Sequence, residues 1–528
     1  MYHVSRHSVS ARHPLNVKPS GNEVLSDPQE QKTKSKLMGD FSRFSDETIM
    51  MILGHISNEK HLLALAHTSR VMYAYTYDEE LWRRLYFSKI GVNSFVLNGD
   101  HRSQNFRWRG SWRNSVLGIG SGAGITLPGS LVCSDLLYRP YQCSQIDYSS
   151  LFSKVIRDET ARHNRALTSS PEPSHERAIL RLADSGSYEY EKLQNKPFIL
   201  VSEPGRWPNW DLDHLVRRFP DVVFRQEAAQ WPLSLYAEYL RNNCDESPLY
   251  LFDCKSDAMK TLKQEYTVPP VFQDDLFSVF EKVDCRPDHA WLIVGPSRSG
   301  STFHKDPNYT SAWNAALSGR KLWVMLPPHI VPPGVGTDDD ESEVTSPVGI
   351  AEWVLAGFFN DAATIDECII AVTFPGECMH VPAGWWHSVI NIDNSVALTQ
   401  NFAPSSKVQH TLDFFKTRTG QVSGFTIKRV YKAISTFLDK YQGDDNEDIE
   451  ALTTFRSTIA TMDIDQIADE DCGELDEMPT MPIYEFFRLL LISEGKGHLL
   501  ETSQTRKPSH AWTKVVNGTG FTFGFDVE

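Results

Sequence analysis

The chain has 528 residues, 41% of them apolar and 11% aromatic, which is enough for several folded domains with large cores. No apolar run is long enough to span a membrane, and the N-terminus MYHVSRHSVSARHPLNVKPS lacks the apolar stretch of a secretory signal. The 52 basic and 68 acidic residues give a net charge of −16, which disfavours direct nucleic-acid binding. The acidity either serves solubility alone or suits a basic protein or peptide substrate. The 8 cysteines form no CxxC pair and indicate reduced thiols. We therefore expect no membrane association and a location in the nucleus, the cytoplasm or both.

The first 88 residues change character at residue 41. Residues 1–40 are polar and predict a disordered tail. Residues 41–88 carry apolar positions at helical spacing, as in SDETIMMILGHI, with Ser45 or Asp46 as the N-cap. So small a helical bundle supports only a small core, so we expect it to dock on a partner or a neighbouring domain.

Residues 89–188 are predicted to be a connector. Their glycine series Gly118, Gly120, Gly122 and Gly124 lacks the Gly-Lys-Ser/Thr ending of a phosphate loop, which excludes a nucleotide site there. The polar stretch 157–187 indicates a linker or an exposed helix.

Residues 189–405 are rich in short strand-like segments with Pro and Gly between them, which favours a double-sheet barrel. The segments are KPFILVSE, SPLYLFD, HAWLIVGP, RKLWVMLPP, CIIAVTFPGE and SVALTQNF. Two helices are predicted among them, in WDLDHLVRRFP and PLSLYAEYLRN. The insertion GVGTDDDESEVTSP is interpreted as a solvated acidic loop or, alternatively, as a contact for basic peptides.

Residues 406–528 are predicted to be helical, with exposed acidic segments in DDNEDIE and DIDQIADEDCGELDE. The apolar stripe of MPIYEFFRLLLIS indicates core or dimer packing.

The chemistry of the chain concentrates in His304-Lys305-Asp306 and His387. Residues two apart in a strand share a face, so His304 and Asp306 can both reach one ion, and His387 can complete the set from another strand. Two His and one carboxylate form the facial triad of non-haem Fe(II) oxygenases, which leaves open positions on a redox metal. This favours an oxygenase over a hydrolase.

The barrel segment, from Glu189 to Pro404, resembles the JmjC family of 2-oxoglutarate oxygenases. Its matching stretches are SPLYLFD, VPPVFQDDLF, GPSRSGSTFHKDP, TSAWNAALSGRKLW and FPGECMHVPAGWWHSVINIDNSVALTQNF, and they look most like the lysyl hydroxylase (phosphatidylserine-receptor-like) branch. The resemblance implies an α+β fold: a double-stranded β-helix (jelly-roll or cupin) barrel between an N-terminal helical segment and a C-terminal helical region. It assigns His304, Asp306 and His387 to Fe(II).

The same resemblance assigns Lys321 to the distal carboxylate of 2-oxoglutarate, a task that suits an ammonium with three donors. Tyr250, Ser301, Asn314 and Thr399 match further co-substrate positions, with Ser301 standing where the family often has Thr. Thr399 and Asn401 lie on one strand face, consistent with an interior lining. The implied reaction converts 2-oxoglutarate to succinate and CO2 while a substrate C–H bond is hydroxylated.

Residues 41–88 resemble an F-box, with Phe44, Ile49, Leu53, Leu62 and the final Leu81-Trp82 among the matches. An F-box usually has Pro where this chain has Ser45. The resemblance implies docking to a Skp-type adaptor of a cullin ubiquitin ligase. The alternative is a helical bundle that packs only on the enzyme.

Three functions are weighed on these grounds. The preferred one is an Fe(II)- and 2-oxoglutarate-dependent protein hydroxylase, of lysyl type, acting on basic proteins, with N-methyl demethylation as its alternative. The second is a ubiquitin-ligase substrate receptor whose barrel only binds its target. The third is a structural nuclear protein with neither activity.

Overall fold

A computed structural model of the chain describes residues 2–4, 12–90, 106–120, 125–168, 178–184, 188–338, 341, 344–346, 349–443, 446–462 and 479–501. They form two compact units. The first comprises the described residues up to Gln273 together with Asp288–Asp306 and Thr310–Phe402, and the second comprises Asp274–Pro287, Pro307–Tyr309 and the described residues from Ala403 onward. Across these ranges, every helix is too short or too polar to cross a membrane.

The α-helices are α1 (Pro28–Met38), α2 (Asp46–Gly54), α3 (Glu59–Ala66), α4 (Arg70–Thr76), α5 (Glu79–Ile90), α6 (Trp112–Leu117), α7 (Asp135–Ser144), α8 (Tyr148–Leu151), α9 (Ser153–Thr168), α10 (Tyr190–Leu193), α11 (Leu212–Arg218), α12 (Leu233–Arg241), α13 (Asp257–Leu262), α14 (Ser278–Glu281), α15 (Ile350–Leu355), α16 (Phe358–Thr364), α17 (Val408–Thr417), α18 (Ile427–Lys440), α19 (Glu447–Ala460) and α20 (Ile483–Ser493). The strands are β1 (Leu180–Ala183), β2 (Phe198–Val201), β3 (Val223–Gln226), β4 (Ala229–Pro232), β5 (Leu251–Asp253), β6 (Ala290–Gly295), β7 (Gly300–His304), β8 (Ser311–Ser318), β9 (Lys321–Leu326), β10 (Gly336–Thr337), β11 (Val344–Thr345), β12 (Ile369–Thr373), β13 (Glu377–Val381), β14 (Trp386–Asn391) and β15 (Ser395–Phe402).

Two sheets form the barrel. The larger has the strand order β1-β2-β13-β8-β15-β6-β5-β3-β4 and the smaller β12-β9-β14-β7. Only β1 and β2 pair in parallel in these two sheets; the other neighbours are antiparallel. Side chains from both sheets, including Met379 and Trp323, share one buried cluster between them. This confirms the predicted double-sheet barrel.

Alternation along β9 places its side chains on two faces. Trp323 and Met325 point between the sheets, whereas Leu322, Val324 and Leu326 pack in a second cluster with residues of α15 and α16. The helices therefore cover the outer face of the smaller sheet, and polar side chains that share the parity of Trp323 point into the barrel.

The helices α2–α5 share a core with the barrel. Their buried Ile49, Leu53 and Trp82 belong to the same apolar cluster as Leu292 and Leu398 of β6 and β15. The segment thus docks on its neighbouring domain, one of the two sites expected for it. Ser45 caps α2 by accepting a hydrogen bond from the Thr48 amide at 3.3 Å, as the sequence predicts.

Tyr86, Trp112 and Trp231 form the seam between α5 and the barrel. The Trp231 indole N–H donates to the Tyr86 hydroxyl at 2.8 Å in a buried hydrogen bond. The Tyr86 ring lies 5.3 Å from that of Trp112 and 5.9 Å from that of Trp231. Because the aromatic side chains and the indole N–H are buried by both parts, the segment is not a detachable module.

The prediction of a disordered tail over residues 1–40 is wrong for its described part. Leu15 and Val17 are buried beside Leu131 and Val132, and the backbone of Lys18 bonds to Val132 and Ser134. Helix α1 follows, with Asp27 as its N-cap. The few apolar residues of this polar stretch find their partners more than a hundred positions away, which local composition does not reveal.

The prediction of a plain connector over residues 89–188 is also wrong where the chain is described. Helices α6–α9 lie there, and β1 adds to the larger sheet, so the barrel begins at Leu180 and not at residue 189. Gly118 ends α6 with φ +68°, a conformation that favours glycine. Gly122 and Gly124 lie outside the described residues.

A charged cluster fixes α9 to the barrel. The Arg181 guanidinium donates to Glu159 and to Glu377, each at 2.9 Å, and both carboxylates are fully buried. His163 bonds to Glu377 at 2.8 Å. Sequence inspection did not single out these residues.

The second unit has its own core. Phe487 of α20 lies with its ring 5.2 Å from that of Phe280, and Phe277 stacks at 5.8 Å on Phe415. The apolar stripe of α20 therefore packs in a core. In DDNEDIE, expected to be exposed, the described residues Asn446, Glu447 and Glu450 are exposed, while Ile449 of the same segment is buried in α19. DIDQIADEDCGELDE and the last 27 residues of the predicted C-terminal region lie outside the described residues.

Candidate active site

His304, Asp306 and His387 come together at one end of β7 and β14. His304 ends β7 and lies opposite His387 in the antiparallel pair. One potential ligand atom from each of the three residues lies within 4.8 Å of the other two. Asp306 differs from the expectation because β7 ends at His304, so Asp306 reaches the cluster from the loop that follows the strand and not from a shared strand face.

Backbone carbonyls orient both histidines. His304 Nδ1 lies 2.8 Å from the Thr302 carbonyl oxygen, and His387 Nδ1 lies 3.1 Å from that of Trp385. A carbonyl only accepts, so it selects the tautomer with the proton on Nδ1 and leaves the Nε2 lone pair for a metal. Burial lowers the pKa of His387 well below its usual value, which keeps the ring in the neutral form that binds metals.

Among the described residues, one carboxylate oxygen of Asp306 accepts a hydrogen bond and the other accepts none. Its Oδ1 accepts from Asn401 Nδ2 at 3.2 Å, and Asn401 also donates to Thr310 Oγ1 at 3.0 Å. Its Oδ2 is buried and has no hydrogen-bond partner among the described residues. Burial raises the pKa of this carboxyl, opposed by the charge of His304. A cation bound at Oδ2 would satisfy the oxygen, so the three side chains fit a divalent metal with the two-His, one-carboxylate set of Fe(II).

Lys321 begins β9 and is fully buried inside the barrel. Its amino group donates to the Tyr250 hydroxyl at 3.0 Å and to Asn391 Oδ1 at 2.9 Å. Both partners are uncharged, and no carboxylate pairs with it in the part of the chain that the structure describes. A buried amino group with one donor to spare fits the carboxylate of a dicarboxylic co-substrate.

Asn391 is a site residue that sequence inspection missed. It lies on β14 four positions after His387, and a period of two puts both side chains on the same face. That spacing was the available signal.

The remaining predicted co-substrate residues lie on strands that face this interior. Asn314 pairs with Thr399 across β8 and β15, and its Oδ1 is buried without a partner among the described residues. The Thr399 hydroxyl donates to the Trp313 carbonyl at 2.8 Å. Ser301 lies opposite Val389, where a register shift in the β7–β14 pair brings it and His304 into line with inward-facing residues. Their contacts with 2-oxoglutarate stay predictions.

Similarity to known proteins decides the family. Residues 182–408 match the family described as a cupin-like domain, and residues 46–88 match the F-box-like family. The chain is 34% identical over 427 residues to the arginine-specific demethylase JMJ22 of Arabidopsis thaliana, which covers 78% of each protein. The chain belongs to the JmjC family of iron- and 2-oxoglutarate-dependent oxygenases.

Two further JmjC relatives are matched over less of their length. The lysine-specific demethylase JMJ21 of Arabidopsis thaliana is 32% identical over 69% of this chain and 37% of its own length. The bifunctional arginine demethylase and lysyl-hydroxylase psr-1 of Caenorhabditis elegans is 34% identical over 39% of this chain and 55% of its own. This JmjC chain is therefore an enzyme that uses Fe(II) and 2-oxoglutarate, and it carries an F-box-like segment.

Proposed function

We propose that this oxygenase hydroxylates a C–H bond on a cationic side chain of a basic protein, with lysine as the preferred target. The observation that carries the proposal is the metal-binding triad facing the same barrel interior as Lys321. The net charge of −16 and the resemblance of TSAWNAALSGRKLW to the lysyl hydroxylase branch support a lysine-containing substrate.

Different residues of the chain would bind the iron and the 2-oxoglutarate. His304, Asp306 and His387 would hold the iron, and Lys321, aided by Tyr250 and Asn391, would anchor the far carboxylate of 2-oxoglutarate. When bound, iron with its co-substrate supplies the oxidising power for attack on an unactivated C–H bond. Asn401 donates a hydrogen bond that would hold Asp306 in position, and the buried apolar side chains around Trp323 and Met379 would limit the access of water to the reacting atoms.

The proposal is tested with lysine-rich peptides incubated with the enzyme, Fe(II), 2-oxoglutarate and ascorbate. Lysyl hydroxylation adds one oxygen, about 16 mass units, to the peptide and releases succinate without formaldehyde. His304→Ala is the matched inactive control. Succinate formation that no peptide stimulates, with no peptide oxidised, would contradict the proposed substrate class.

N-demethylation is the second candidate, favoured by the 34% identity to an arginine-specific demethylase over most of both chains. Oxidation of an N-methyl group ends in formaldehyde and an amine with one methyl fewer. Stoichiometric formaldehyde from a methylated arginine or lysine peptide, with no retained oxygen on the unmethylated one, would establish this reaction instead.

We further propose that the F-box-like segment binds a Skp-type adaptor, in the nucleus or the cytoplasm. Three apolar side chains of this segment remain exposed: Phe44 at 48%, Met51 at 63% and Ile52 at 36%. Exposed apolar residues grouped on one short helical segment mark a protein-binding surface.

Met51→Asp should abolish capture of a purified adaptor and leave 2-oxoglutarate turnover unchanged. Val331→Asp, an equally apolar exposed position elsewhere, is the control and should retain capture. If the wild-type chain captures no adaptor, the segment serves only as part of the enzyme's core. If the chain captures an adaptor but does not turn over 2-oxoglutarate, the substrate-receptor function is favoured. Fractionation of cells tests the location.

A further inference from the structure

A cavity of about 410 Å³ in the first unit has His304 and Ser301 in its wall. Its other walls come from the β3–β4 turn, the segment before β5 and the start of α15, represented by Glu227, Ser247 and Gly349. Because a metal-binding histidine lines it, this cavity is where a substrate side chain would approach the site. Its volume accommodates a long side chain with part of its backbone.

Glu227 is the one acidic side chain lining this cavity among the described residues. Among the described residues, Arg298 supplies the one guanidinium in the cavity wall, and protein oxygens already accept hydrogen bonds from it. Arg298 Nη1 donates to the carbonyls of Ser144 and Asp245, at 2.5 and 2.7 Å, and its Nη2 donates to Asn243 Oδ1 at 2.9 Å. The charge in the cavity wall that can still accept hydrogen bonds from a ligand is therefore the negative charge of Glu227.

The backbone presents Glu227 in an unusual conformation. Its φ is +49°, in the left-handed region that residues other than Gly and Asn rarely adopt. Half of the side chain is exposed, and the Tyr250 amide donates a hydrogen bond to it. Burial raises the pKa of this carboxyl and Arg83 lowers it, so a second cation would favour its ionised form further.

Arg83 of α5 is the one ion-pair partner of Glu227 in the described chain, at 3.7 Å. That separation is beyond hydrogen-bond range, and Arg83 also lies over the Trp112 ring at 5.9 Å. The Glu227 carboxylate therefore lies near the Arg83 cation of the F-box-like segment, but Arg83 does not use its hydrogen-bonding capacity.

We infer that Glu227 binds a cationic side chain of the peptide substrate, and that Arg83 competes with this cation and sets the strength of the contact. The inference rests on the proposed function, since it concerns the substrate of the same site. It makes Glu227 a determinant of specificity for lysine or arginine peptides and places a residue of the F-box-like segment at the edge of the substrate cavity.

The test compares Glu227→Gln, Arg83→Gln and wild type with a lysine-rich peptide that the wild-type enzyme oxidises. Glu227→Gln should raise the KM for the peptide about fivefold, the range of a partly exposed ion pair, with kcat little changed. Arg83→Gln should lower that KM because Glu227 loses its competitor. Glu238→Gln, an exposed carboxylate on α12 away from the cavity, is the matched control.

Peptide-independent turnover of 2-oxoglutarate should stay at the wild-type rate in all variants, which shows that each has folded and holds its cofactors. A KM for Glu227→Gln equal to that of Glu238→Gln would overturn the inference while the proposed function stands. A wild-type enzyme that oxidises neutral peptides as readily as cationic ones would overturn both.

Discussion

Each of the three candidate metal ligands, His304, Asp306 and His387, is held in place through one atom and has a second atom available to bind a metal. The two histidines are held at Nδ1 by backbone carbonyls, and Asp306 is held at Oδ1 by Asn401. Such outer contacts fix the ligand geometry before the metal arrives, and losing one typically costs tenfold to a hundredfold in metal affinity. The position of Asp306 therefore depends on Asn401, whereas the positions of the two histidines depend on the backbone.

Two substitutions separate ligation from orientation. Asp306→Ala should abolish Fe(II) binding and turnover because it removes a ligand, and Asn401→Ala should weaken Fe(II) binding by about tenfold to a hundredfold. The metal-free melting temperature of Asp306→Ala should change little, because losing the hydrogen bond from Asn401 to Oδ1 is offset by removing the buried Oδ2, which has no partner among the described residues. Metal titration and thermal melting are the measurements. Wild-type turnover by Asp306→Ala would exclude Asp306 as a ligand.

A graded pair tests the co-substrate anchor. Lys321→Ala should raise the apparent 2-oxoglutarate requirement at least a hundredfold, because breaking a buried charge pair costs about 3–5 kcal/mol. Asn391→Ala removes one hydrogen bond to Lys321 and should cost about 1 kcal/mol, or roughly fivefold. The rate of succinate formation against 2-oxoglutarate concentration gives both values. An equal effect of the two substitutions would show that Lys321 does not contact the co-substrate directly.

Among the elements, helix α5 joins the F-box-like segment to the barrel, and it begins with a partly buried acid, Glu79. Burial raises the pKa of Glu79 from its usual value to about 7, helped by the charge of Asp245 and opposed by a hydrogen bond from the Arg113 amide. The folded state therefore holds this proton more tightly than the unfolded state does. Stability from this group is greatest at low pH and is lost as pH rises from about 4.5 to about 7.

Glu79→Gln should remove that pH dependence. Between about pH 5.5 and about pH 8, ionisation of Glu79 alone should lower the free energy of unfolding by about 2 kcal/mol. The variant should thus gain stability over wild type at the higher pH while keeping its acceptor for the Arg113 amide. Urea unfolding at both pH values measures this, with the exposed neighbour Glu80→Gln as control; equal pH slopes in all three proteins would contradict it.

Periodic patterns predicted the elements whose signal is local. The cap at Ser45, the helices α11 and α12 and the strands β6, β9 and β15 follow from apolar spacing and their boundaries. What local patterns missed depends on distant partners. Arg181 contacts Glu377, 196 positions away. Asp306 lies beyond the strand that its spacing to His304 implied, where Asn401 of β15 donates a hydrogen bond to it.

At the scale of the whole molecule, the chain forms two compact units and passes from one to the other more than once. Asp274–Pro287 and Pro307–Tyr309 belong to the second unit although the barrel surrounds them in sequence. Phe277 and Phe280 of the first of these segments pack with Phe415 and Phe487 from the C-terminal region. The core of the second unit is therefore built by the C-terminal helices together with Asp274–Pro287, a segment that lies within the barrel region of the sequence.

Phe487→Ala should destabilise this core by about 3–5 kcal/mol, because the side chain is fully buried. Ile492→Ala on the same helix is the control, since Ile492 is 51% exposed and should change stability by less than about 0.5 kcal/mol. Hydrogen exchange of α17 and α20 measures the loss locally. Similar exchange in the two variants would show that the α20 stripe does not hold this unit together.

The aromatic seam of Tyr86, Trp112 and Trp231 packs the F-box-like segment directly against the barrel. Modules on a flexible linker sample many separations, and the linker length sets how often they meet. Here an adaptor seated on the F-box-like segment would carry the catalytic cavity at a single distance and angle. The dimensions of such an assembly would then determine which positions on a target protein the enzyme can modify. Lengthening α5 by one turn would change which positions can be reached.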